Sequence, residues 1–365
     1  MKTTVDKPLV ICTLALCLCG LVAVYTASAH QSVHEAGHSW AYVLKQLLAF
    51  GLGLTGMGLF SRIPYTRWQV LSRPLALVSI VLLVLTMFIG TTANGSERWI
   101  PLPFGLQFQP SDVAKIAGVL LIASAAAQRG LFSAGALLNY ALVLVMVGLI
   151  YLQPNLSVSM LLTMVGAALL YMAGLNGWLY VVLAPPTLYG LFLKIKDTEY
   201  QWRRITGWLN PWKDMQDTGY NLVQSYFAIG SGGFLGVGLG HSIQKQYYLP
   251  FQHTDFIFSV WCEELGLLGG LILMILYGVL AFRGFNIAFQ VPSLFGQLLA
   301  AGLTLMITLQ ATINMCVTMG LMPVTGVTLP LISYGGTSVI ITLCMIGILL
   351  NISRHRQNVQ PMGPA

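Results

Sequence analysis

Charged residues are scarce, making up 8% of the 365 positions. A soluble domain carries about 25%, so a water-exposed globule is excluded and a chain embedded in lipid is expected. Acidic side chains are the rarer kind, 11 against 18 basic ones, giving a net charge of +7. No basic run interleaved with aromatics accompanies that charge, so nucleic acid is not indicated. Cysteine occurs at six positions, Cys12, Cys17, Cys19, Cys262, Cys316 and Cys344, all inside apolar segments and none at metal-site spacing with histidine. They read as small core residues and support neither a zinc site nor a disulfide framework.

Apolar residues are abundant, at 56%, and they gather into ten runs near 9–28, 42–60, 75–92, 112–128, 135–152, 156–174, 178–194, 256–282, 296–320 and 336–352. Each is long enough to span a bilayer. The predicted fold is therefore an all-α integral membrane protein with about ten transmembrane helices. It forms a single polytopic domain over 1–365, with one long extracytoplasmic loop over 195–254. Lys2, Lys7, the apolar run from Leu9 to Tyr25 and Ala27-Ser28-Ala29 imitate a cleavable signal peptide. The run is long enough to span, however, and Lys45-Gln46 opens another span soon after, so retention as the first transmembrane helix is expected.

A cytoplasmic N-terminus gives the inner segments Lys2, Lys7, Arg62, Arg67, Arg73, Arg129, Arg283, Arg354 and Arg356, with Asp6 as their only acid. That satisfies the positive-inside rule and leaves both termini cytoplasmic. The polar chemistry then faces outward. The first outer loop, Ala29 to Ala41, spaces His30, His34 and His38 by four, with Glu35 as the only added donor, and reads as solvated rather than metal-binding. The second carries Asn94-Gly95-Ser96-Glu97-Arg98-Trp99-Ile100 and Gln107-Phe108-Gln109-Pro110-Ser111-Asp112, turn residues around a charged pair and a tryptophan, which suits an ordered interfacial structure. Lys115, one turn into the fourth span, either snorkels outward or pairs with Glu263 or Glu264.

The chain is organised around Gly219 to Gly266. Leu222, Val223, Tyr226 and Phe227 share one helical face, opposite Asn221, Gln224 and Ser225, as in a helix lying in the interface. Gly230, Gly232, Gly233, Gly236, Gly238 and Gly240 follow, which either let backbone N–H groups approach an anion or allow a sharp path. Lys245 and Tyr247-Tyr248-Leu249-Pro250 lead to His253-Thr254-Asp255. Thr254 reads as an N-cap with Asp255 in the first helical turn, ionised by the helix dipole and serving either chemistry or capping. Glu263 and Glu264, roughly 12 Å further along the helix, are functional candidates or members of a buried ion pair. The proline- and glycine-broken segment from Pro323 to Ser338 reads as re-entrant or cavity-lining.

Together these motifs resemble the SEDS family of bacterial cell-wall proteins (shape, elongation, division and sporulation), with branches named RodA, FtsW and SpoVE. The matching stretches are Gly95-Ser96-Glu97-Arg98-Trp99, Gln109-Pro110-Ser111-Asp112 with Lys115, Ala228-Ile229-Gly230-Ser231-Gly232-Gly233, His253-Thr254-Asp255-Phe256-Ile257-Phe258 with Glu263-Glu264-Leu265-Gly266, and Ile332-Ser333-Tyr334-Gly335-Gly336-Thr337-Ser338. Gln244-Lys245 with Tyr248-Leu249-Pro250 looks more like the FtsW and SpoVE branches.

The resemblance implies a peptidoglycan glycosyltransferase that polymerises lipid II outside the cytoplasmic membrane, beside a class B penicillin-binding protein. Asp255 matches the family's essential aspartate, and Arg98, Trp99, Lys115, Arg203, Arg204, Lys245 and Ser333 match motif positions expected near substrate. Asp112, Asn155, Glu263 and Glu264 match structural or cavity positions. A divalent metal, Mg²⁺ or Mn²⁺, is compatible with Asp255 and a pyrophosphate substrate. Two departures stand out. Asn155 in Gln153-Pro154-Asn155-Leu156-Ser157 replaces the usual aspartate, and Asp112 replaces a usual glutamate. The competing readings are a lipid flippase or transporter, which would need polar contacts in both membrane halves, and a non-catalytic scaffold for a transpeptidase.

Overall fold

The computed structural model describes residues 5–93, 96–101, 107–128, 130–245 and 249–356. Lys2, Asn94, Gly95, Arg129, Tyr247 and Tyr248 lie outside them. Ten long helices occupy the ten predicted runs: α1 (Lys7–Ala36), α2 (Ala41–Phe60), α3 (Tyr65–Ile89), α4 (Pro110–Ala126), α5 (Ala134–Leu152), α6 (Leu156–Met172), α7 (Gly177–Asp197), α10 (Ile257–Gln290), α11 (Leu294–Thr318) and α12 (Gly336–Ser353). Two shorter helices, α8 (Glu199–Leu209) and α9 (Tyr220–Gly232), sit in the long loop, on either side of a 3₁₀ turn at Pro211–Asp214. Eight of the ten are long and apolar enough to cross a membrane. The other two, α4 and α6, are slightly shorter at 17 residues each.

Burial sorts the helices into a centre and a rim. α4 packs against α3, α5, α6, α11 and α12, and nearly all its residues are buried. Its Ala114, Ala117, Gly118, Ala123 and Ala125 allow that closeness, because small side chains let helix backbones approach in lipid. The rim helices turn Ile11, Phe88, Leu144, Phe282 and Phe289 outward, each more than 60% exposed, as a lipid-facing surface requires. α7 buries no residue at all, and its contacts are chiefly with α8.

The loops differ from expectation in two places and agree with it in one. The first outer loop is mostly helix, since α1 continues to Ala36 before Gly37 closes it at φ 75°. The second outer loop is a small antiparallel meander of β1 (Thr91–Ala93), β2 (Ser96–Pro101) and β3 (Gln107–Phe108), ordered as predicted although the chain is otherwise helical. α9 packs on α10 rather than lying on a lipid surface. Ser225, assigned to its polar face, is therefore buried and hydrogen-bonds Ser259 Oγ and Thr318 O, both at 2.6 Å, while Phe227 is exposed.

The segment between α11 and α12 is irregular yet buried, with Leu329, Leu331 and Ile332 almost inaccessible. Backbone of that kind survives at depth only when protein satisfies its polar groups. Side chains do so here: Asn314 donates to Val327 O (2.7 Å), Gln310 to Thr328 O (2.9 Å), Gln46 to Ser333 O (3.2 Å), and Tyr277 to Pro330 O.

Candidate active site

Asp255 lies in a tight turn ahead of α10. Phe251 takes φ 57°, and its carbonyl accepts from the N–H groups of Thr254 (3.0 Å) and Phe256 (3.3 Å). The helix begins only at Ile257, with no side-chain cap. Thr254 is therefore not the N-cap, because its hydroxyl is turned back to Phe251 O at 3.3 Å. Asp255 precedes the first turn instead of occupying it, and burial is the largest influence on its carboxyl.

Asp255 is half-buried, and Phe251 of the same turn lines a cavity of about 750 Å³ together with Tyr200, Arg203, Arg204, Asn221 and Val324, among others. Burial pushes the Asp255 pKa up to about 6, and Arg204 and Arg98 each pull it down. Among the described residues Asp255 closes no ion pair. A carboxylate near 6 is mostly ionised at neutral pH yet basic enough to take a proton, the condition of a general base. Gly326 lies close by, and a Cβ added there would be 3.6 Å from Asp255 Oδ2.

Arg98 and Arg204 are aimed by separate supports. Arg98 donates to Gln153 O (2.9 Å) and Pro154 O, the turn between α5 and α6, and burial holds its pKa below the usual guanidinium value. Arg204 bonds the Tyr200 hydroxyl and lies over that ring, 4.5 Å from its centroid. Arg203 lines the same cavity but pairs with Asp217. Trp99 is partly buried in β2.

The remaining candidates lie behind this surface. Lys115 neither snorkels nor reaches Glu263 or Glu264. It pairs with Asp112 Oδ1 (2.8 Å) and donates to Gln310 Oε1 (3.0 Å), while Thr337 bonds Asp112 Oδ2 (3.2 Å). Ser333 is 2% exposed, and its hydroxyl donates to Thr254 O (2.6 Å) and accepts from Leu329 N (2.8 Å). Asn155 caps α6 by accepting from Val158 N at 3.4 Å, a role that asparagine and aspartate fill about equally well.

Glu263 and Glu264 anchor the glycine-rich loop. α10 breaks at Gly266 (φ 65°), and there Val237 N and Gly238 N donate to the carbonyls of Glu263 and Glu264, both at 3.0 Å. Gly236 rests on the Glu264 backbone with no room for a Cβ. Beyond the glycines, Ser242 Oγ (2.5 Å) and Ile243 N (2.9 Å) donate to the Glu263 carboxylate, and Lys245 pairs with Glu264 at 3.0 Å. The glycines therefore serve the sharp path, their N–H groups bonding backbone carbonyls, and the carboxylate is met only beyond them by Ser242 and Ile243.

Sequence reasoning did not single out Asn314, Gln310 or Tyr200. Gln310 and Asn314 carried a signal, two amides spaced by four on an apolar span, where polar side chains share one face and need partners. His253 was read only as part of its motif. It packs edge-on against Tyr42 (5.0 Å) and Tyr334 (5.7 Å), and burial pushes its pKa to about 4, so it is neutral.

Residues 7–358 match the family model described as "Cell cycle protein", FtsW/RodA/SpoVE. The chain belongs to the FtsW/RodA/SpoVE family. It is 37% identical to Stage V sporulation protein E of Bacillus subtilis, covering 97% of this chain and 98% of that one. It is 40% identical to a Coxiella burnetii protein named "Probable peptidoglycan glycosyltransferase FtsW", with 97% of each covered. Among solved structures it matches Thermus thermophilus RodA with TM-score 0.72 and 31% identity, over 97% of this chain and 98% of RodA. It also matches a chain of a peptidoglycan synthase complex, in a study of coordinated polymerization and crosslinking, with TM-score 0.81 and 32% identity over 97% and 99% of the two chains.

Proposed function

We propose that this family member, a peptidoglycan glycosyltransferase, polymerises lipid II at the outer face of the cytoplasmic membrane with Asp255 as its general base. The observation that carries the reading is the Asp255 turn bordering a large cavity, where burial raises the carboxyl pKa to about 6 and the charges of Arg204 and Arg98 lie near enough to lower it. Asp255 takes the proton of the acceptor 4-hydroxyl as that oxygen bonds to the donor anomeric carbon. The bond from that carbon to the pyrophosphate oxygen breaks, and the polyprenyl pyrophosphate leaves with the electron pair. An α-linked donor giving a β-1,4 chain is an inverting displacement, for which one base suffices. Arg98, Arg204 and Arg203 offset the charge developing on the leaving group.

Orientation follows the basic residues. Asp6 is bonded to Arg283 and Arg356, both at 2.5 Å, which gathers the start of α1 and the ends of α10 and α12 at one end of the bundle. The positive-inside rule assigns that end to the cytoplasm and the Asp255 cavity to the outside. A resident metal does not fit the donor set, because Asp255 is a single carboxylate facing two guanidiniums and no group of three metal-ligating side chains occurs among the described residues. A Mg²⁺ or Mn²⁺ ion would be carried on the substrate pyrophosphate. A transporter loses its main support, since Lys115, Glu263 and Glu264 are each engaged within the protein. The scaffold reading loses its own, since Asn155 still caps α6. A class B penicillin-binding protein is the proposed partner, as the synthase-complex likeness supports.

The test is polymerisation of lipid II by the purified chain, with and without that partner and with Mg²⁺ or Mn²⁺, beside Asp255→Asn. Polymer from wild type alone supports the reading. Polymer from both overturns the role of Asp255, and none from either overturns the activity.

A further inference from the structure

Three consecutive backbone carbonyls around Asp255 are each held by a donor from another part of the fold. Tyr334 N donates to His253 O at 2.9 Å, Ser333 Oγ to Thr254 O at 2.6 Å, and Asn314 Nδ2 to Asp255 O at 2.8 Å. We infer that Asn314 is a positioning residue for glycosyl transfer, fixing the Asp255 carboxylate through its own backbone. The inference rests on Asp255 being the base.

Asn314 lies on α11, 1% exposed, and each hydrogen of its amide has a separate task. One goes to Asp255 O and the other to Val327 O at 2.7 Å. A single planar group thus spaces the Asp255 turn from the 323–335 segment, whose Gly326 faces Asp255 Oδ2. One helical turn earlier, Gln310 donates to Thr328 O and accepts from Lys115 Nζ, itself paired with Asp112. The polar face of α11 therefore links the buried ion pair of α4 to the backbone of the base.

Two observations separate this from ordinary core satisfaction. The Asp255 turn has no cap of its own, and its internal hydrogen bonds all return to Phe251. Its distal side is fixed only from outside. Both N–H groups of the buried Asn314 amide are committed to backbone carbonyls, while its oxygen meets no group of the protein. An apolar side chain could make neither donation, so the residue's worth lies in its two donors. A base must come within hydrogen-bond reach of its proton, and a misplacement of about 1 Å costs on the order of a hundredfold in rate.

The test uses the full chain in complex with its penicillin-binding partner and compares wild type, Asn314→Ala, Ser333→Ala and Asp255→Asn. Lipid II turnover is read as kcat and KM, with the pH profile of kcat and hydrogen–deuterium exchange over 251–259. For Asn314→Ala we expect kcat to fall at least about tenfold with KM within roughly threefold. The acid limb should move down towards the ordinary aspartate range, as a loosened turn lets water reach the carboxylate. Exchange at 251–259 should rise. Ser333→Ala releases the neighbouring carbonyl and should give the same signature, which serves if Asn314→Ala does not fold. Unchanged exchange, or kcat within about threefold of wild type with an unmoved acid limb, overturns the inference. If exchange rises while Asp255→Asn stays fully active, the clamp stands as structure and the base assignment falls, so the two failures are distinguishable.

Discussion

Lowering the pH should switch the enzyme off in a window set by Asp255. Burial raises its pKa to about 6 against the pull of Arg204 and Arg98. If kcat follows the ionised fraction of a base, it falls from about 90% of its limit at pH 7 to about 10% at pH 5. An aspartate at its ordinary value would remain about 90% ionised at pH 5 and show almost no loss. Arg204→Gln removes the larger of the two cationic effects, so its acid limb should rise above 6, with the rate deficit widest at low pH. The same carboxyl bears on stability. Its pKa is raised on folding from 3.8 to about 6, so the stability it contributes is complete below the unfolded value and is lost as pH rises through 6. At neutral pH the ionised form then costs up to about 3 kcal/mol. Asp255→Asn should therefore raise Tm at pH 7.5 and leave it unchanged near pH 4. The assay is initial-rate lipid II polymerisation from pH 5 to 8, paired with thermal unfolding in detergent. A wild-type profile flat down to pH 5, or an Asp255→Asn protein less stable at pH 7.5, refutes the reasoning.

Other outcomes follow from the packing. Asn155→Asp keeps the α6 cap and should leave activity within about twofold, whereas Asn155→Ala should cost about 1 kcal/mol in thermal or denaturant unfolding. Lys245→Met strands the buried Glu264 carboxylate and should cost about 3–5 kcal/mol, most of it recovered in the Lys245→Met, Glu264→Gln double variant. Gly266→Ala puts a side chain at φ 65° against the Gly236 and Phe234 backbone, and size-exclusion chromatography should find little monodisperse protein.

The helices were legible because lipid imposes one simple requirement, a long apolar run, and all ten runs became helices. The irregular segment before α12 was legible for a related reason, as Pro323, Pro330 and the Gly335-Gly336 pair disfavour a continuous helix in a stretch that stays apolar, and α12 starts only at Gly336. Partnership was harder to read. Lys115 could have met any carboxylate at its depth, and the choice of Asp112 depends on an i, i+3 geometry completed by Gln310 from α11. Glu263 and Glu264 signalled burial, but their partners, Ser242 and Lys245, come from a loop whose path depends on a break at Gly266. Thr254 has the chemistry of an N-cap, yet Phe251 at positive φ captures its hydroxyl. Asn314 was passed over because an amide in a span is usually a helix-packing contact, and only tertiary structure brings the Asp255 carbonyl to it.

The most direct test of Asp255 as the base measures binding and turnover on the same sample. Wild type and Asp255→Asn, each reconstituted with the penicillin-binding partner, would be titrated with lipid II for affinity and then followed for glycan polymer at pH 7.5. The account predicts affinities within about threefold and a loss of polymerisation of at least about a hundredfold in the variant. Polymer at near wild-type rate from Asp255→Asn, with lipid II still bound, would contradict it.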